Sequence, residues 1–191
     1  METKSVLLTG VGGQGTILAS KLLTLGLLKA GYDVKMSEIH GMSQRGGSVS
    51  SQVRFGSQVL SPVIEQGGAD MIVSFELMEA LRNLSYLKPG GKVVVNDYRI
   101  NPMPVINGDA VYPDTLKQAL SASADTGFVD AAAMAKELGN PRVMNIVLLG
   151  TIVKTMHLTD IDWDAIIREN VKPAFVEVNI QAIHKGMDAV E

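Results

Sequence analysis

Three features of the sequence predict an α/β fold. An apolar run, Val6-Leu7-Leu8, leads into Gly10-Val11-Gly12-Gly13-Gln14-Gly15 and then a helical pattern with Leu18, Leu22 and Leu25 at i, i+4 and i+7. Two further apolar runs, Met71-Ile72-Val73 and Val93-Val94-Val95, read as strands buried on both faces. Between them and the opening lies Ser48–Phe55, which alternates with a period of two. Together these describe a Rossmann-like, mainly parallel sheet with an inserted β-hairpin and helices on both faces. The 191 residues are expected to form a single domain, 1–191, that buries roughly 70% of the surface of the unfolded chain.

In chain order, the first helix runs from Gly15 to Gly31, where the glycine suits a helix end. Tyr32–Met36 is the second strand of a βαβ-like opening. A polar loop, Ser37-Glu38-Ile39-His40-Gly41-Met42-Ser43-Gln44-Arg45-Gly46-Gly47, follows it. The alternating strand then meets Gly56-Ser57, a two-residue turn signal, with Gln58–Ser61 as the return arm and Pro62 ending it. Further along, the expectations are a strand over 70–75, a helix over 76–87, and a turn at Pro89-Gly90-Gly91 into a strand over 92–96. Ala110–Tyr112 and Gly127–Asp130 read as short strands, with a helix over 116–124 between them.

The last third reads as helical. Val143–Met156 is apolar nearly all round and so should be buried. Asp160–Asp162 offers cap chemistry for a helix reaching Ile167. Pro173 suits the first turn of a final helix whose Val176, Ile180, Ile183, Met187 and Val190 form one stripe. That stripe is either core or an interface.

Composition removes several function classes. A formal net charge of −3 leaves no basic footprint for nucleic acid. There is no cysteine, which excludes disulfides, thiol catalysis and an all-cysteine iron–sulfur site within the chain. Three histidines, widely spaced, give no dense metal-ligand pattern. No apolar run approaches the ~18 residues of a membrane span, and Met1–Lys4 carries no charged-then-apolar leader, so a cytoplasmic location is expected.

Gly10, Gly12 and Gly15 match G-x-G-x-x-G, a turn that lets backbone N–H groups approach an anion. The same turn also serves as a bare strand-to-helix connection or as a close helix–sheet contact. Glu38 falls near the place of the acid that holds a nicotinamide cofactor's ribose, but the polar loop behind it competes for that position. Arg45 in that loop can pair bidentately with a carboxylate or phosphate, whereas the loop can equally be held by its own hydrogen bonds. No nucleophile–base set is assembled, and no catalytic or metal residue is assigned.

The paired motifs resemble the gamma-type subunit of 2-oxoacid:ferredoxin oxidoreductases. The likeness rests on Gly10–Gly15, Ser37–Val49 and Val53–Gly56, with further matches at Ala69–Glu76, Glu79–Arg82 and Met144–Gly150, which contains Asn145. Within that group it is most similar to the small, beta subunits of indolepyruvate:ferredoxin oxidoreductases. The resemblance implies oxidative decarboxylation of an aryl pyruvate with coenzyme A and oxidised ferredoxin, giving acyl-CoA, carbon dioxide and reduced ferredoxin. Gamma subunits for pyruvate, 2-oxoisovalerate or 2-oxoglutarate are the nearest alternative, and a nucleotide-binding regulatory module is a more distant one.

It further implies that thiamine diphosphate and the iron–sulfur clusters belong to a large partner subunit, and that this chain alone binds no cofactor. Ferredoxin is reached through the complex, and the isolated chain could form a homodimer. Gly12, Gly13, Gln14, Gly15, Ser43, Gln44, Arg45 and Gly46 would face coenzyme A, while Glu38, His40, Met42 and Asn145 would fix the loop or meet the partner.

Overall fold

The computed structural model describes residues 2–41 and 45–190. In chain order the elements are β1 (Lys4–Val11), α1 (Thr16–Lys29), β2 (Asp33–His40), β3 (Ser48–Gly56), β4 (Ala69–Ser74), α2 (Leu77–Arg82) and β5 (Leu87–Asn96). Then come α3 (Met103–Ile106), α4 (Leu116–Ser123), β6 (Asp125–Val129), α5 (Ala131–Glu137), α6 (Met144–Thr155), α7 (Trp163–Asn170) and α8 (Val176–Asp188). Among the described residues the strands form one six-stranded sheet, ordered β2-β3-β1-β4-β5-β6. β1, β4, β5 and β6 run parallel, whereas β3 is antiparallel to both β1 and β2.

Both faces of the sheet are covered, which is why its central strands are apolar on both sides. Val6, Leu8, Met71 and Val73 pack under α1, α5, α6, α7 and α8, while Leu7, Ile72, Val93 and Val95 pack under α2 and α4. α6 is buried from Asn145 through Val153, between the sheet and α8. It meets α8 backbone to backbone: a Cβ at Gly150 would stand 2.1 Å from the Ile183 carbonyl oxygen, and one at Gly186 would stand 1.9 Å from that of Val147. On α8, Ile180 and Ile183 are buried and Val176, Met187 and Val190 pack against the same cluster, so the stripe is core.

Several expectations are corrected. The inserted hairpin is β2 with β3, not β3 with a return arm at Gln58–Ser61. Side chains, not a strand, satisfy the backbone of that segment: Arg54 donates to the carbonyls of Ser61 and Val63, and Gln52 accepts from the Ile64 N–H at 2.6 Å. Asp33 accepts from the Val59 N–H at 2.8 Å. β2 continues through His40, because residues 37–40 pair with β3 residues 49–52, so the first four residues of the expected loop are strand. β1 and β2 are therefore not neighbours in a parallel pair, since β3 lies between them.

The helix expected over 76–87 ends at Asn83, whose side chain donates to the Thr9 hydroxyl and to the Glu79 carbonyl. Pro89-Gly90-Gly91 lies inside β5, at a register shift against β4. Ala110–Tyr112 is not a strand: Tyr112 is buried and its hydroxyl donates to Glu76, while the sheet edge is β6. No helix among the described residues is long and apolar enough to cross a membrane.

Candidate functional site

At the carboxyl end of β1 the glycine turn is held from four directions. Gly12 donates its N–H to the Gly47 carbonyl at 2.8 Å and accepts from the Gly46 N–H at 3.1 Å. The Gln14 side chain accepts from the Val11 N–H and donates to the Phe75 carbonyl, each at 2.8 Å. Asn96, buried at the end of β5, donates to that same Phe75 carbonyl at 3.1 Å. Asn145, in the first turn of α6, donates to the Gly15 carbonyl at 3.1 Å.

The glycines are required where the backbone turns left-handed or where neighbours press close. Gly13 and Gly15 have φ of 105° and 85°. A Cβ on Gly15 would lie 2.6 Å from Asn145 Nδ2, whereas one on Gly13 would meet nothing. A Cβ on Gly10 would stand 2.8 Å from that of Phe75.

A cavity of about 420 Å³ opens beside the turn. Gly12, Gly13, Gly15 and Thr16 line one side, and Glu38, Ile39 and His40 of β2 with Val49–Ser51 of β3 line the other. A second hollow lies on the opposite flank of the turn, toward Tyr98, Ile100, Arg142 and Met144. The turn is thus a thin partition made largely of backbone; Gly12 and Gln14 donate their N–H groups to the Gly47 and Val11 carbonyls, which leaves those of Gly13 and Gly15 and the start of α1 to face an anion.

The segment that leads from Arg45 into β3 is anchored from below. Ser48 donates to Glu79 at 2.5 Å, Arg82 donates to the same carboxylate at 2.7 Å, and Glu79 is buried in α2. Glu76, also buried, caps α2 by accepting from the Glu79 N–H and takes a further hydrogen bond from Tyr112. Burial and the adjacent Glu76 carboxylate push the Tyr112 phenol well above its ordinary value, so it remains a donor.

Gly12, Gly13, Gln14, Gly15, Arg45, Gly46, Glu38, His40 and Asn145 all fall at this one rim. Met42, Ser43 and Gln44 lie outside the described residues. Gln14 is committed to the turn itself through both ends of its amide. Sequence reasoning gave no role to Ser48, Glu76, Glu79 and Asn96, which support the rim, although the first three lie within the motifs that carry the family resemblance. Only an acid at each end of the first turn of α2, Glu76 and Glu79, hinted at any of them. Among the described residues no group of His, Asp and Glu could hold a metal ion.

A family model described as pyruvate ferredoxin/flavodoxin oxidoreductase matches residues 5–189. The chain belongs to the pyruvate ferredoxin/flavodoxin oxidoreductase family. It is 41% identical, over a 197-residue alignment, to indolepyruvate oxidoreductase subunit IorB of Thermococcus kodakarensis, covering 100% of this chain and 98% of that one. Two solved structures share the fold. Pyruvate oxidoreductase subunit PORC of Thermotoga maritima aligns with a TM-score of 0.74 and 19% identity, over 99% of this chain and 97% of that one. A 2-oxoglutarate:ferredoxin oxidoreductase from Magnetococcus marinus, solved with 2-oxoglutarate, coenzyme A and succinyl-CoA bound, also aligns at 0.74 and 19%, over 99% of this chain and 31% of that one.

Within the oxidoreductase family the rim acquires a context. An enzyme that moves electrons from a 2-oxoacid to ferredoxin needs iron–sulfur clusters, and this chain has no cysteine thiolate to hold one. What the chain presents instead is a glycine turn hydrogen-bonded to the Arg45–Gly47 segment.

Proposed function

We propose that this chain is the small subunit of an indolepyruvate:ferredoxin oxidoreductase, with residues 1–191 acting as one gamma-type catalytic domain. The reaction converts an aryl pyruvate, coenzyme A and oxidised ferredoxin to acyl-CoA, carbon dioxide and reduced ferredoxin. The full-length identity to an indolepyruvate oxidoreductase subunit supports the choice of 2-oxoacid. A large partner subunit would hold thiamine diphosphate, which would supply the nucleophile for the 2-oxo carbon, and iron–sulfur clusters, which would carry the electrons.

The observation that carries the site assignment is the hydrogen-bonded contact between the glycine turn and the Arg45–Gly47 segment beside a cavity of about 420 Å³. That volume falls in the ~300–1,000 Å³ range of small-molecule sites. It accommodates part of a coenzyme A, whose phosphates suit the backbone N–H groups of Gly13 and Gly15 and the Arg45 guanidinium. Gln14 and Asn145 then act by fixing the turn, Ser48 and Glu79 by fixing the loop, and Glu38 and His40 by shaping the opposite wall. No residue of this chain is assigned to bond making or breaking.

Co-expression with a cysteine-rich candidate large subunit tests this reading. The complex should co-purify and, without oxygen, reduce ferredoxin with indolepyruvate and coenzyme A faster than with pyruvate, 2-oxoisovalerate or 2-oxoglutarate. The isolated chain should be inactive. Turnover by the isolated chain, or failure of any such complex to form, overturns the reading, and preference for another 2-oxoacid overturns the substrate.

A further inference from the structure

Asn145 carries an unfinished hydrogen-bonding account. Its Nδ2 donates to Gly15, but its Oδ1, in a side chain 4% exposed, is the one buried side-chain polar atom among the described residues without a partner. Buried polar atoms in folded proteins are nearly all satisfied, so an orphan of this kind calls for a donor that the described residues do not supply.

Asn145 lines a cavity of about 270 Å³ between α1, the start of α6 and the α7–α8 junction. Arg142 and Lys172 also line it, and neither side chain has an ion-pair or hydrogen-bond partner among the described residues. Among the described residues no acidic side chain lines the cavity. Leu18 and Phe175 border it with 38% and 44% of their surface exposed. Two unpaired cations, an orphan acceptor and an apolar border are complementary to a negatively charged occupant that also donates a hydrogen bond and carries apolar surface. The volume is below the usual range for a cofactor site and fits one or two side chains. Exposed Phe and Leu beside Arg match the anchors of a protein interface.

We infer that this cavity is a socket for an acidic segment of the large partner subunit. A carboxylate of that segment pairs with Arg142 and Lys172, a backbone N–H or hydroxyl donates to Asn145 Oδ1, and Leu18 and Phe175 cover the apolar part. Asn145 then joins the partner through Oδ1 and the glycine turn through Nδ2, so that docking and the coenzyme side of the rim share one amide. The inference rests on the proposed function only in requiring that a partner subunit exists.

The test measures affinity between the separately purified large subunit and this chain. Wild type is the control for the proposed function: if it does not associate, that reading fails independently of the socket. Given association, Arg142→Glu with Lys172→Glu should weaken affinity at least tenfold, and Arg142→Lys should restore most of it in the Lys172 background. At saturating subunit the double variant should keep its KM for coenzyme A within twofold. Wild-type affinity should also fall at least tenfold between 50 and 500 mM salt, a measurement that needs no variant. Unchanged affinity in the folded double variant, or affinity indifferent to salt, overturns the socket. So does stabilisation of the isolated chain by millimolar succinate that depends on Arg142 while subunit affinity does not, since the occupant is then a free dicarboxylate.

Discussion

Gly12 and Gly47 are joined by a 2.8 Å backbone hydrogen bond, and the return bond from Gly46 to Gly12 closes the pair. This two-bond clasp ties the strand-to-helix turn to the far arm of the β2–β3 hairpin. It explains why a polar loop and a glycine turn, separated by a whole helix and strand, behave as one surface.

Gly13 and Gly15 separate backbone strain from steric clash. Gly13→Ala places a side chain in open space at φ 105°, and it should cost about 1–2 kcal/mol from the left-handed backbone alone. Gly15→Ala adds a methyl 2.6 Å from Asn145 Nδ2, and it should cost roughly 3 kcal/mol or more. Denaturant unfolding of both variants measures the difference, and equal costs would remove Asn145 from the support of the turn.

Gln14→Glu keeps the acceptor for Val11 but loses the donor to the Phe75 carbonyl, placing two acceptors face to face. The expected loss is about 1–3 kcal/mol at neutral pH. The introduced carboxyl has a folded-state pKa raised by that repulsion, so the deficit relative to wild type should shrink as pH falls through it. Parallel stability curves for the two proteins from pH 7 to 4 would contradict the assigned orientation of the amide.

Asp70 provides a second pH dependence of opposite sign. Burial pushes its carboxyl upward, but hydrogen bonds from Lys88 and the Ser5 N–H, with the charges of Lys88 and Lys4, outweigh burial and hold it below the ordinary carboxylate value. Its contribution to stability is therefore complete above the unfolded-state value of about 3.9 and disappears as pH falls through the lower folded-state value. Asp70→Asn should lower stability by about 1–3 kcal/mol at pH 7 and flatten the acid limb of the stability profile. Denaturant unfolding from pH 7 to 2 checks both effects.

What the sequence made legible follows the length scale of the signal. α6 and α8 were readable because continuous apolarity and an i, i+4, i+7 stripe report burial locally. The second half of β2 was not, because Glu38 and His40 lie on an exposed end of a strand whose identity comes only from pairing with Ser51 and Val49. Gly56-Ser57 carried good turn chemistry, yet Arg54, Gln52 and Asp33 hold the following residues out of strand pairing through contacts no local pattern encodes. In the site, the adjacency of the glycine turn and the Arg45 segment was anticipated from the paired motifs. The hydrogen bonds that support the rim were not, since Gln14 reaches Phe75 across 61 residues and Asn145 reaches Gly15 across 130.

The most direct measurement of the central claim is the apparent KM for coenzyme A of the reconstituted complex carrying Arg45→Ala. If the clasped turn and loop form the coenzyme side of a cleft completed by the large subunit, KM should rise about tenfold or more, as expected for losing a charge-assisted phosphate contact, or the complex should assemble more weakly. Unchanged KM, unchanged kcat and unchanged assembly would contradict the account.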